Sequence, residues 1–141
     1  MPLFSCAGKR PTNLGVKASR LAPCPSSRNC VSSDADDSAH SIAAFALAMP
    51  SGDAWLAVRG SVESLLLTKI IAETSDYLHA ECTSAVFGFV DDLELHLRTA
   101  EGVIAVRSAS RLGYSDLGVN RRRIENLRAL LLKQGIVRML A

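Results

Sequence analysis

The densest grouping of chemically capable side chains lies in RSASRLGYSDLGVNRRR, Arg107 to Arg123. Six arginines between Val103 and Arg128 (107, 111, 121, 122, 123 and 128) face two acids, Asp116 and Glu125, a local charge of +4 in a chain of net charge +2. A guanidinium presents a planar fork of N–H donors, and a glycine-punctuated loop entering a helix adds backbone N–H groups, a combination suited to phosphate or carboxylate. Arg107, Ser108, Ser110, Arg111, Asp116, Asn120, Arg121, Arg122 and Arg123 are therefore the candidate ligand-binding set, for an anionic small molecule or an acidic protein surface. The loop lacks the full spacing of a dinucleotide-binding or P-loop motif.

The same residues admit a structural reading. Arg121, Arg122 and Arg123 sit where a helix begins, at the positive end of its dipole, which disfavours cations. Carboxylates of the chain, a bound anion or plain solvation could offset that, and Asp91, Asp92 and Asp116 are the internal carboxylates in view. Asp116 and Asn120 are both good N-cap residues, with Gly113 and Gly118 free to take positive φ.

Asp91 and Asp92 are the candidates for acid–base catalysis, where one of a pair would carry a raised pKa. On a strand, adjacent side chains point to opposite faces, so only one of them reaches a given site unless a bulge intervenes. His79 and His96 fall on the polar faces of their strands. Ser108 or Ser110 with a histidine and an aspartate lacks a nucleophile-elbow pattern, and Cys82 falls on an apolar face, so nucleophilic catalysis has little support.

Of the four cysteines (6, 24, 30 and 82), only Cys24 and Cys30 are close in sequence. A disulfide between them would close a short loop; a tetrahedral zinc site would need further ligands from Cys82 or a distant histidine. The acidic run Ser32 to Ser38 lacks the ligand spacing and glycine of a calcium loop. No metal or cofactor is assigned.

These residues are positioned by elements readable from hydrophobic period. Trp55, Val58, Val62 and Leu65 follow Ser51, Gly52 and Asp53 at helical spacing, with Gly60 a weak point. LLTKIIAET then reads as a strand, Thr74 to Asp76 as a turn, and Tyr77 to Phe89 as one long strand or two broken near Ser84. Leu93, Leu95 and Leu97 alternate with Glu94, His96 and Arg98, predicting a half-buried strand, and Val103 to Ser108 returns as its hairpin partner. A second helix runs from about Val119 to Gln134 with Ile124, Leu127, Leu130 and Leu131 inward and Gly135 as its stop. His40 to Met49 suits an edge strand or a buried extended segment, and Ile136 to Ala141 gives no signal. The expected fold is α+β, an antiparallel sheet of about four strands packed by two helices. It comprises an extended N-terminal arm, 1–37, carrying the Cys-Pro loop, and a single domain, 38–141.

A length of 141 residues with 48% hydrophobic and 21% charged residues suits one globular domain without staples. Twelve arginines and four lysines against 14 acids make too small a basic excess for a nucleic-acid surface. The longest uncharged run, Ser38 to Gly52, is too short and too polar to span a bilayer, and Met1 to Ser5 lacks the features of a signal peptide.

Three stretches in order, LAPCPSSRNCVSS, YLHAECTS with FVDDLELHL, and RSASRLGYSDLGVNRRR, resemble domain-of-unknown-function family 1499, found in bacteria and plants. The resemblance runs from about Arg10 to Leu132. Arg28 departs from the proline usual at that place in the family's Cys-Pro-x-Ser-Pro-Asn-Cys segment. The family implies no activity or ligand. Many of its bacterial members look like lipoproteins, and Leu3-Phe4-Ser5-Cys6 occupies the lipobox-like place before RPTNLGV. The resemblance thus implies export, a lipid anchor on Cys6 giving peripheral membrane association in the cell envelope, Met1 as a late start, and a disulfide between Cys24 and Cys30.

The functional expectation is a small non-enzymatic binding or accessory domain using the arginine loop. Two alternatives stand beside it: an acid–base hydrolase using Asp91 or Asp92 with arginines steadying negative charge, and a carrier of an apolar ligand between sheet and C-terminal helix.

Overall fold

The computed structural model describes residues 6–85 and 87–140. Among these described residues nine strands and two α-helices follow one another as β1 (Val16–Lys17), β2 (Arg20–Leu21), β3 (Cys30–Ser32), β4 (Phe45–Leu47), α1 (Ser51–Glu63), β5 (Thr68–Glu73), β6 (Tyr77–Thr83), β7 (Val90–Arg98), β8 (Val103–Ser110), α2 (Val119–Lys133) and β9 (Val137–Arg138). β1 and β2 form a separate ribbon. The others make one sheet in the order β5-β6-β7-β8-β4-β9, with β3 also paired to β8, and every ladder between them is antiparallel.

The α+β class, the two helices and the β7–β8 hairpin agree with the sequence. The main sheet, however, has seven strands rather than about four. The additions are β3, inside the stretch read as an arm, the three-residue β4, and β9 in the tail that gave no signal. Strands of two or three residues cannot display an alternation, so period finds none of them. β4 is not an edge strand either: β8 flanks it on one side and β9 on the other. α1 continues past Gly60, where an added Cβ would meet nothing, and ends at Glu63, leaving Leu65 beyond it.

Register assigns each side chain to a layer. Leu78, Ala80 and Cys82 of β6 stand opposite Leu95, Leu93 and Asp91 of β7, which stand opposite Val106, Ser108 and Ser110 of β8. This face joins Trp55, Val58 and Val62 of α1 and Ile124, Leu127 and Leu131 of α2 in one core. Burial of the Cys82 thiol there pushes its pKa up.

The opposite face is where the sequence misleads. Tyr77, His79 and Glu81 lie beside His96, Glu94 and Asp92, a pattern that reads as a solvated surface, yet His79, Asp92, Glu94, His96 and Arg107 are buried. The cover is the N-terminal segment. Gly15 N donates to Glu94 (2.8 Å), Arg107 donates to the Pro23 carbonyl (3.3 Å), Arg10 pairs with Glu81 (2.6 Å), and Arg98 grips Asp34 through two bonds of 2.7 Å.

Cys24 and Cys30 form a disulfide, which fixes the loop leading into β3. Asn29, one residue before Cys30, donates from its amide to the carbonyls of Leu112 (3.1 Å) and Gly113 (2.7 Å), so this loop also braces the segment between β8 and α2. A Cys24→Ser/Cys30→Ser double variant is expected to lose about 2 kcal/mol of unfolding free energy in urea titration, the chain-entropy value for so short a loop.

Candidate functional site

The loop from β8 into α2 is built by capping chemistry. Gly118 precedes the helix with φ +81, and Asp116 supplies the cap its neighbours need: its carboxylate accepts from Gly118 N (2.8 Å), Asn120 N (2.9 Å) and the Asn120 amide (2.7 Å). Burial raises the Asp116 pKa, but those N–H donors outweigh it and hold the group below its ordinary value. Buried Asn120 links helix to sheet, its Oδ1 accepting from Ser108 Oγ (2.7 Å) and its amide donating to Ser110 Oγ (2.8 Å) and the Asn29 carbonyl (3.2 Å).

The arginines divide among three environments. Arg123 belongs to the helix face, donating to Ser108 Oγ (3.1 Å) and Asn120 Oδ1 (2.8 Å) and pairing with Asp91 at 2.8 Å. Arg107 and Arg111 belong to the other face of the sheet. Arg107 lies 3.3 Å from Glu94, whose second oxygen accepts from Tyr77 Oη. The Arg107 Nε has no acceptor among the described residues, a buried donor costing on the order of 1–3 kcal/mol. Arg111 makes two 2.9 Å bonds to Asp92 and reaches Glu81, while His79 Nε2 donates to Asp92 at 2.7 Å. Arg121 and Arg122 form the third group, donating to backbone carbonyls: Ser41 (2.9 Å) and Ala39 (3.3 Å) for Arg121, Leu117 (2.9 Å) for Arg122. The sequence-adjacent set is thus split, with Ser108, Ser110, Asp116, Asn120 and Arg123 together and Arg107 and Arg111 behind the sheet.

Asp91 and Asp92 are divided in the same way, one to Arg123 and the other to Arg111. Burial pushes the Asp92 carboxyl up, but Arg111 and His79 more than compensate and keep it below the ordinary carboxylate value. The same balance lowers Glu81, where burial opposes Arg111 and Arg10. His79, Glu81 and Asp92 place one ligand atom each within 4.8 Å of one another, but the Arg111 guanidinium already bonds both carboxylates.

Beside Arg123 the surface opens into a cavity of about 440 Å³. Its apolar walls are Phe89 from the β6–β7 loop, Val90 from the start of β7, Leu112 and Leu117 from the β8–α2 loop and Val119 from the helix start; Arg123, the carboxylates of Asp91 and Asp116 and the hydroxyls of Ser110 and its neighbours supply polar groups, and Cys6 also lines it. The Cys6 N–H donates to the Phe87 carbonyl (2.7 Å); Leu3, Phe4 and Ser5 of the lipobox-like stretch lie outside the described residues. A larger hollow of about 590 Å³ lies between the β1–β2 ribbon and Asp34–Asp37, where Arg20 already bonds the Asp34 carbonyl. The apolar lining of the first cavity comes from separate segments, and its sequence signals were isolated: the Phe-Gly-Phe at 87–89 and the leucines 112 and 117 inside a polar loop.

A seven-stranded antiparallel sheet with two helices on one face, an N-terminal segment sealed by ion pairs on the other, and the capped loop at one end define a compact α+β class of domain. The chain belongs to DUF1499, a family of proteins of unknown function whose model matches residues 20–131. No curated protein and no solved structure matches it. Among the described residues no helix is long and apolar enough to cross a membrane.

Arg111→Met is expected to cost about 3–5 kcal/mol in urea unfolding, because it strands buried Asp92, whereas Arg122→Ala at an exposed position should stay within about 0.5 kcal/mol. His40 supplies a pH test. Its Nε2 donates to the Ser27 carbonyl (2.8 Å) and its Nδ1 lies 2.6 Å from Asp37, and these two contacts, the carbonyl first, raise its pKa above the ordinary 6.5. A raised folded-state pKa means that its contribution is complete below 6.5 and fades as pH climbs through the higher value. Thermal melts should therefore show a loss of stability as pH rises from about 6.5 that His40→Gln flattens.

Proposed function

We propose that the chain is a small non-enzymatic binding domain for an amphiphile with an apolar body and an anionic head group, held in the cavity at the start of α2. The observation that carries this reading is the meeting of an apolar-walled space of about 440 Å³ with the guanidinium of Arg123. That volume falls in the range of small-molecule sites, and such sites combine apolar walls with few, well-placed polar groups. Among the described residues Arg123 spends two N–H bonds from Nη1 on Ser108 and Asn120 and one contact from Nη2 on Asp91, which leaves Nε and the second Nη2 proton for a head group. A carboxylate is the acceptor that such donors favour, since charge-assisted bonds are about twice as strong as neutral ones.

An acid–base role for Asp91 or Asp92 has less support. Asp92 is enclosed by Arg111 and His79 with its pKa lowered, where a general base needs an accessible carboxylate poised nearer neutrality. Asp91 faces the cavity but is paired with Arg123. An anionic ligand spanning the whole arginine loop is disfavoured by the burial of Arg107 and the spread of the set over both faces.

Isothermal titration of the 141-residue chain with decanoate and with decanol tests the reading. Saturable binding of decanoate, weaker binding of decanol, and a loss of at least about tenfold for Leu117→Asp are expected, since that change puts a charge on the cavity wall at an exposed position. Binding of neither compound, or equal binding by Leu117→Asp, would contradict it.

A further inference from the structure

The end of the molecule that holds the cavity mouth also carries a concentration of solvated apolar side chains. Leu66 is 93% exposed, Leu117 85%, Tyr114 65% and Leu67 58%, with Phe87 and Phe89 about half exposed. They come from three segments: the turn before β5, the β6–β7 loop and the β8–α2 loop. The three are contiguous. Phe89, Leu117 and Val119 line the cavity, Leu66 and Val119 line the groove beside it, and the rings of Phe87 and Phe89 are 5.8 Å apart.

Leu67 and Leu117 hold φ of +53 and +55, the left-handed region that a leucine enters only at a cost. Such strain persists only where the surrounding structure holds it in place, and it clusters at functional segments. A monomeric surface seldom keeps such a patch without a use.

Charge decides what the cover is. The stretches SLLLT (64–68) and TSAVFGFV (83–90) have no charged residue, and the lone acid of LGYSDLGV (112–119), Asp116, is a carboxylate bonded to N–H groups at the start of the helix and keeps its charge. Immediately behind stand Arg121 and Arg122, whose hydrogen-bond partners among the described residues are backbone carbonyls; these two cations against the one carboxylate of Asp116 leave this end a charge of +1. We propose that this end of the domain docks on an anionic lipid surface, Leu66, Leu67 and Leu117 entering the acyl boundary, Tyr114 resting at head-group depth and Arg121 and Arg122 meeting lipid phosphates. Aliphatic tips as exposed as those of Leu66 and Leu117 suit insertion among acyl chains, whereas a protein partner would need a separate pocket for each. The cavity mouth then opens at the bilayer, from which an amphiphile of the proposed kind would enter. The surface stands on its own observations and does not require the cavity to be a ligand site.

Co-sedimentation of the full 141-residue chain with vesicles tests it, using phosphatidylcholine alone and phosphatidylcholine mixed with phosphatidylglycerol. Binding to the mixed vesicles is expected, weakened at least about tenfold without the anionic lipid and by added salt. Leu66→Asp/Leu67→Asp should lose at least about tenfold in vesicle affinity, since it exchanges two inserting side chains for charges. Neither residue lines the cavity, so decanoate titration of that variant should be unchanged. Arg122→Glu should abolish the preference for anionic lipid. Absence of sedimentation with either composition overturns the proposal, as does a Leu66→Asp/Leu67→Asp variant that sediments like the parent chain. A parent chain that ignores vesicles but dimerises in sedimentation velocity, with the double variant monomeric, assigns the face to a protein contact instead. Loss of vesicle binding with decanoate binding intact separates failure of this surface from failure of the cavity reading.

Discussion

The structure depends on how a sheet face carrying Tyr77, His79, Glu81, Asp92, Glu94 and Arg107 is closed off from water. Burying an ionised group is unfavourable by several kcal/mol unless an opposite charge and further hydrogen bonds replace its hydration. Here Arg111 serves Asp92 and Glu81, and Arg107 serves Glu94, whose remaining capacity goes to Tyr77 and to the backbone of Gly15. The course of the N-terminal segment follows from that demand, because Arg10, Gly15, Pro23 and Asp34 are the points at which it satisfies a charged group of the sheet. The cover is polar and specific where the helix side of the same sheet is apolar and tolerant of exchange among residues of similar volume.

This two-sidedness explains what could be read beforehand. α1, α2 and the β7–β8 hairpin were legible because each is long enough to show its period, and the capping by Asp116 was legible because it is local in sequence; Asn120, which also reads as a cap, lies inside α2 and ties the helix to the sheet instead. The alternation of Leu93, Leu95 and Leu97 with Glu94, His96 and Arg98 gave the strand and its inner face correctly. It also suggested a solvated outer face, since a charged residue on a strand looks the same whether water or an arginine from far along the chain is its partner. β3, β4 and β9 are too short for any periodic signal. The cavity was invisible for a related reason: Phe89, Leu112 and Val119 come together only through the fold.

The arginine cluster is the clearest case of sequence proximity misreporting spatial proximity. Arg107 and Ser108 are neighbours in the chain, yet strand geometry sends one to Glu94 and the other to Asn120. The crowding of Arg121, Arg122 and Arg123 at the positive end of α2 is offset in two ways, by Asp91 for Arg123 and by carbonyl oxygens for the other two. Carbonyls supply dipoles without supplying charge. The cluster is therefore electrostatically uneven, with its last member locked into the fold and the earlier two still cationic toward solvent.

The adjacent pair Asp91 and Asp92 has a further consequence, for how the sequence is free to change. Because side chains along β7 alternate between two dissimilar environments, shifting that strand by one residue would press Asp92 among the core leucines and bring Leu93 under the N-terminal segment facing Arg111. No compensating substitution at one site could repair both faces. Insertions and deletions should thus be barred from β7 and β8 over many generations, while the loop between β6 and β7, which no ladder reads on both sides, can lengthen or shorten and so vary what the molecule touches without disturbing how it folds.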